Sequence, residues 1–167
     1  IRHYLLEQWR QPALRGEADA ARRRHFTHYL GLAQTAERQL NGPDQARWLK
    51  RVEIEADNFR AALAWGHDTQ DMGRPALELA ATLAMFAYRR GAFTEAREQV
   101  TMALSRWAAQ DAGRAKALQW GGVLADQQGD TAAARAMLDE SLTLYQSLND
   151  RAGTAGVLNN LGRLAGR

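Results

Sequence analysis

Arg22-Arg23-Arg24, followed by His25 and His28, is the densest group of chemically capable side chains in this 167-residue sequence. Clustered guanidinium groups neutralise phosphate charge, which makes the run a candidate for nucleic-acid contact. A solvated helix face is the plainer reading: net charge is only +3, and Glu17 and Asp19 dilute the local field. His25 and His28 stand i, i+3, a spacing that puts two imidazoles on one helix face as metal ligands. No further ligand pattern accompanies them, so a structural or surface role is preferred. Glu53 and Asp57 lie one turn apart, as a carboxylate pair for acid–base work would. Lys50 stands three residues from Glu53 and Arg51 four from Glu55, and paired surface charges account for the arrangement. Asn58 and Arg60 are read as ties from their helix to a neighbour's chain ends. Gly121-Gly122 belongs to no phosphate loop, because no GxxxxGK[ST] run occurs. The sequence has no cysteine, which excludes disulfides and thiolate zinc sites. With no nucleophile–base set and no metal constellation, a non-enzymatic protein without a cofactor is expected.

The elements that position these groups are helices throughout. Nothing alternates with period two, and no run approaches the roughly 18 apolar residues of a membrane span. Hydrophobic content of 46% and charged content of 25% are ordinary for a soluble domain. Tyr4, Leu5 and Trp9 predict a short helix over 1–10, closed by Gln11-Pro12. One long helix is expected over 17–40, with Phe26, Tyr29, Ala33, Ala36 and Leu40 on one face. Asn41-Gly42-Pro43 is a stop and restart. Leu49, Val52, Ala56, Phe59 and Leu63 then form one stripe of a helix reaching Trp65. Residues 66–75 read as a loop, followed by helices at 76–90, 93–108, 113–128, 131–147 and 151–165. Their connections are short and rich in Gly, Asp or Asn, which predicts antiparallel packing of consecutive helices. Two regions follow: an N-terminal helical hairpin region over 1–72, and repeats over 73–167 with the last one incomplete.

The repeat is visible in matched small residues. Gly91 and Gly129 are 38 residues apart, as are Ala96 and Ala134, and Ala84 and Gly122; Gly162 repeats Gly122 at 40. Leu118, Gly121, Gly122 and Ala125, then Ala134 and Leu138, resemble the tetratricopeptide pattern W-x2-L-G-x2-Y with its later A-x3-F. The offsets exceed that family's roughly 34 residues, so each second helix should be about a turn longer. The resemblance implies an all-α, tetratricopeptide-like right-handed superhelix of antiparallel helix pairs. Each pair must stack on its neighbours to cover its apolar face. Glycine inside a helix costs roughly 1 kcal/mol relative to alanine, a cost that close helix packing at Gly122 would offset.

ARRRHFTHYLGLA followed by WLKRVEIEADNFRAALAW resembles a second, more specific group. This is the start of the helical-repeat region in bacterial STAND-type predicted ATPases, including maltose-regulator-like and antibiotic-regulator-like transcription activators. The matching residues are Arg24, His25 and Tyr29, then Glu55, Asp57, Asn58, Arg60, Ala62, Leu63 and Trp65; LNNLG at 158–162 fits the same style. The resemblance implies a regulatory interaction or sensor segment of a cytoplasmic signalling protein. It carries over no ATPase residue. A start at Ile1 without methionine and a stop within a repeat are read as a piece of a longer protein.

In such an array the first helix of each pair lines the inner face. The residues expected there are Tyr88 and Arg89, then Gln119, Trp120, Val123, Asp126 and Gln127, then Asn159 and Arg163. Polar, amide and aromatic groups in this mixture suit a peptide backbone or a polar ligand, and the partner expected is a protein or a neighbouring domain of the same chain. A small-molecule inducer held in the groove is the first alternative, and nucleic acid bound through Arg22–Arg24 the second. An inner face that only packs against neighbouring domains is equally compatible. The five tryptophans, Trp9, Trp48, Trp65, Trp107 and Trp120, are read as core or inter-helix anchors in preference to a ligand-stacking set, with Trp48 and Trp65 assigned to the core and Trp120 placed near the inner face. An apolar face left open at the last repeat predicts self-association unless the last helix covers it.

Overall fold

The computed structural model describes residues 12–166, and among them every regular element is helical. In chain order these are α1 (Pro12–Arg38), α2 (Gln45–Ile54), α3 (Ala56–Asp68), α4 (Gly73–Arg90), α5 (Phe93–Arg106), α6 (Ala112–Gln127), α7 (Thr131–Ser147) and α8 (Arg151–Ala165). The helix expected over 1–10, with Trp9, lies outside the described residues.

Three details differ from the periodicity. α1 begins at Pro12, ahead of the start expected at Glu17, because proline at the first helical position leaves no helical bond unmade. The single helix expected up to Trp65 is two, because the backbone at Glu55 leaves the helical region (φ −90°, ψ 10°), although its N–H still bonds the Arg51 carbonyl at 3.1 Å. Val52, Phe59 and Leu63 are buried on both sides of the break, so the apolar stripe stays in phase across it. Ile54, at the break, is 67% exposed. The loop expected over 66–75 is also much shorter. α3 continues to Asp68, a 3-10 turn spans Gln70–Met72, and α4 begins at Gly73. Gly66 is a packing residue: a Cβ there would lie 2.7 Å from the Phe26 ring and 3.2 Å from Ala76. Pro75 sits in the first turn of α4, where a missing N–H leaves no helical bond unmade.

Local chemistry sets the ends of the later helices. Gly91 and Gly129 adopt left-handed φ values of 74° and 78°. The Ala92 N–H reaches the Ala87 carbonyl and the Asp130 N–H the Ala125 carbonyl, both at 3.0 Å. These are Schellman turns, and glycine carries them without a Cβ penalty. Asn149, φ 56°, makes the same turn after α7, with the Asp150 N–H on the Tyr145 carbonyl at 2.9 Å. Asp111, Asp130 and Asp150 then cap α6, α7 and α8 by accepting from the backbone N–H groups of Arg114, Ala133 and Gly153.

Packing runs between neighbours along the chain. α4 packs on α5, α6 on α7, and α7 on α8, while α6 also lies against α4 and α5. α1 and α3 pack on each other and on α4. One buried cluster joins Phe26, Phe59, Leu63, Leu77, Phe86 and Val100 and reaches Leu124 of α6. It continues across the 72/73 junction. A second cluster gathers Leu118, Leu138, Tyr145, Val157 and Leu164. α6 supplies both, so it is apolar on opposite sides and buried between neighbours. Gly121 and Gly122 are the two contact points: a Cβ on Gly121 would meet Met137 and Val100, and one on Gly122 Leu138 and the Ala134 carbonyl. Ala84 and Ala134 are buried, Ala96 is half-buried, and Gly162 has nothing within 4 Å.

Candidate functional site

The alternate helices α4, α6 and α8 bring four of the expected inner-face residues together. Tyr88 near the end of α4 lies 5.9 Å from the Trp120 ring of α6 and 6.4 Å from Phe93 at the start of α5. Arg163 of α8 donates to the Tyr88 hydroxyl at 3.4 Å and pairs with Asp126 of α6 at 3.6 Å. Asp126 is only 4% exposed, so its carboxylate meets the guanidinium with little water between. The other candidates are placed differently. Gln119 accepts from the Tyr145 hydroxyl at 3.4 Å. Burial, then the charges of Asp150 and Glu37, pushes that phenol up to about 12. Val123 is buried. Gln127 is half-buried, with its amide nitrogen lacking a hydrogen-bond partner among the described residues. Arg89 and Asn159 are exposed.

A polar network next to this group has no counterpart in the sequence reading. Lys116 of α6 donates to the Glu37 carboxylate of α1 at 2.6 Å and to the Thr82 hydroxyl of α4 at 3.0 Å. Gln34 of α1 donates to Glu78 of α4 at 2.6 Å. Lys116 is the only cation between Arg114 and Asp126, inside the apolar run of α6, and that isolation was the available signal. Its partner Glu37 is 79 residues away, a separation over which periodicity says nothing.

The other sequence candidates are held in structural ties. Arg23 forms a pair with Asp71 at 2.9 Å and lies 5.7 Å over the Trp65 ring, tying α1 to the turn before α4. Arg22 pairs with Asp19 at 3.5 Å, and Arg24 is exposed. His25 and His28 pack at 4.6 and 5.0 Å from the Tyr29 ring. Among the described residues, no three His, Asp or Glu side chains gather as a metal set. Glu53 bonds Lys50 at 3.1 Å and Arg90 at 2.9 Å, and these two cations, Lys50 first, hold its carboxyl below the usual range. Glu55 accepts from Asn58 at 2.7 Å and from Tyr29 at 2.8 Å, which lowers its pKa in turn. Arg60 does tie α3 to a neighbour's end, bonding Glu95 in the first turn of α5 at 2.6 Å and Asp57 within α3. Asn58 stays within its own turn. Trp48 and Trp65, assigned to the core, are half-buried at its edge, and Trp107 donates to the capping residue Asp111 at 3.2 Å.

No protein-family model matches this chain, and no curated protein matches it either. No helix among the described residues is long and apolar enough to cross a membrane.

Proposed function

We propose that this chain is a non-enzymatic interaction module of a cytoplasmic bacterial regulator. Its helix pairs wind as a right-handed tetratricopeptide-like superhelix, and the first helices present a surface to a protein segment or a neighbouring domain. The supporting observation is the Tyr88–Trp120–Asp126–Arg163 group, drawn from α4, α6 and α8. Aromatic rings beside a guanidinium are the residue types that anchor protein interfaces, since each offers a large contact area and a polar edge. Stacked pairs held this way form a stiff array, and a partner with unequal affinity for two arrangements of attached domains would bias their equilibrium. The resemblance to STAND-type regulators points the same way.

The test compares partner recovery by wild type, Tyr88→Ala, Trp120→Ala and Arg24→Ala, each immobilised and exposed to lysate of the source organism. Loss on either aromatic substitution, with retention on Arg24→Ala, is the expected result. Recovery of nucleic acid that depends on Arg24 and falls steeply with salt would replace this reading with phosphate-backbone binding.

A further inference from the structure

A pocket opens on a different face of α4 from Glu78 and Thr82, between α3 and the α4–α5 hairpin. Its volume is about 140 Å³. The α4 and α5 walls carry Ala80, Ala84, Ala87 and Ala96 between the larger Leu83 and Phe86, and the short alanines leave the space that a packed helix pair would otherwise fill. Phe59 and Leu63 of α3 close the opposite side, and Val52 lies beside them. All three, together with Ala80 and Ala84, are buried, whereas Arg60, Arg90, Ala92 and Glu95 of the same lining are exposed, so the pocket is a half-open recess with a buried apolar floor.

Arg60, Arg90 and Glu95 stand among the lining residues, and their charges are already matched. Arg60 is bonded to Glu95 at 2.6 Å and to Asp57, and Arg90 to Glu53 at 2.9 Å. An anionic ligand would have to displace one of these carboxylates, and a cationic one would have to displace a guanidinium. An uncharged ligand leaves both pairs intact. Gln99 is the uncharged polar side chain of the wall, and its carbonyl oxygen is engaged by the buried His67 ring at 3.1 Å.

We propose that this pocket is a binding site for a small uncharged apolar molecule, or an apolar group of a larger one, about the size of a benzene ring. The size follows from the volume: an engineered apolar cavity of about 150 Å³ in another protein stays dry and takes up benzene. The driving force is removal of the ligand's apolar surface from water, together with contacts that the alanine walls otherwise lack. The site is separate from the Tyr88–Trp120 group, so the proposal stands or falls independently of the interaction-module reading.

Toluene is the probe, with benzoate as the charged comparison. In the wild-type protein, intermolecular nuclear Overhauser effects should connect toluene to the methyl groups of Val52, Leu63 and Ala84. Toluene at roughly ten times its Kd should raise the Tm by about 3 to 5 °C, because it binds the folded state alone. Ala87→Leu and Ala96→Leu, at half-buried positions on the α4 and α5 walls, should abolish both signals, whereas Ala155→Leu on α8 should keep them. Absence of the methyl contacts in wild type, or a Tm rise that survives both pocket-filling substitutions, overturns the proposal. Benzoate binding where toluene does not would overturn the uncharged assignment.

Discussion

Gly122 of α6 and Gly162 of α8 match at an offset of 40 in the sequence, yet alanine should have opposite effects at the two. At Gly122 an added Cβ would stand 2.8 Å from Leu138 Cγ, 3.2 Å from its Cδ2 and 3.1 Å from the Ala134 carbonyl oxygen. Leu138 is fully buried and Ala134 offers backbone, so neither can yield cheaply. Overpacking of this kind costs about 1 to 3 kcal/mol. Against it stands the gain of about 1 kcal/mol from replacing a helical glycine by alanine. The net expectation for Gly122→Ala is a loss of about 0 to 2 kcal/mol, and for Gly122→Leu a larger one. At Gly162 nothing lies within 4 Å, and the residue is exposed. Only the propensity gain remains, reduced to about 0.5 kcal/mol because the site is in the last turn of α8. For a chain of this size 1 kcal/mol corresponds to about 2 to 4 °C in Tm. Urea titration and calorimetry of the two alanine variants read the contrast directly. Equal stabilisation by both, or a Gly122→Leu protein that melts with wild type, would refute the idea that this glycine sets the α6–α7 approach.

Two further outcomes follow from local chemistry. Burial pushes His67 below the ordinary histidine value of 6.5, and the nearby Arg106 charge adds to the effect, while Gln99 and Asp68 favour the charged ring less strongly. The unfolded chain therefore binds a proton that the folded one resists, so this stability is complete above pH 6.5 and is lost as pH falls below it. The loss can reach about 1.4 kcal/mol per pH unit. Glu53 and Glu55, lowered from 4.5, add their own loss only at more acid pH. His67→Gln should flatten urea-unfolding stability between pH 4.5 and 6.5, and an unchanged slope would remove His67 as its source. Asp150 caps α8 by accepting from the Gly153 N–H at 2.9 Å. Asp150→Ala should cost about 1 kcal/mol and speed hydrogen exchange in α8 more than in α4; uniform acceleration would contradict a local role.

What was legible in the sequence was local in origin. Gly91 and Gly129 mark turns because the left-handed conformation favours glycine wherever it occurs, and their spacing is visible without knowing what surrounds them. The ends of α4 and α6 and the starts of α6, α7 and α8 follow the same logic, being set by those turns and by the aspartate caps. Four of the residues expected on an inner face, Tyr88, Trp120, Asp126 and Arg163, lie together where α4, α6 and α8 meet. The break at Glu55 was hidden because the apolar stripe stays in phase through it. Gly66 reads as a loop former by residue type alone; the Phe26 ring opposite makes it a contact point.

The sequence by itself determined that the described chain is helical, where most of its helices end and which small residues recur, because each rests on backbone preference or on spacing within a turn or a repeat. Tertiary structure decided the Glu37–Lys116–Thr82 network, the Arg60–Glu95 tie and the alanine-walled pocket. Those features join groups tens of residues apart, and their energies depend on distance and burial, quantities that exist only once the helices have packed.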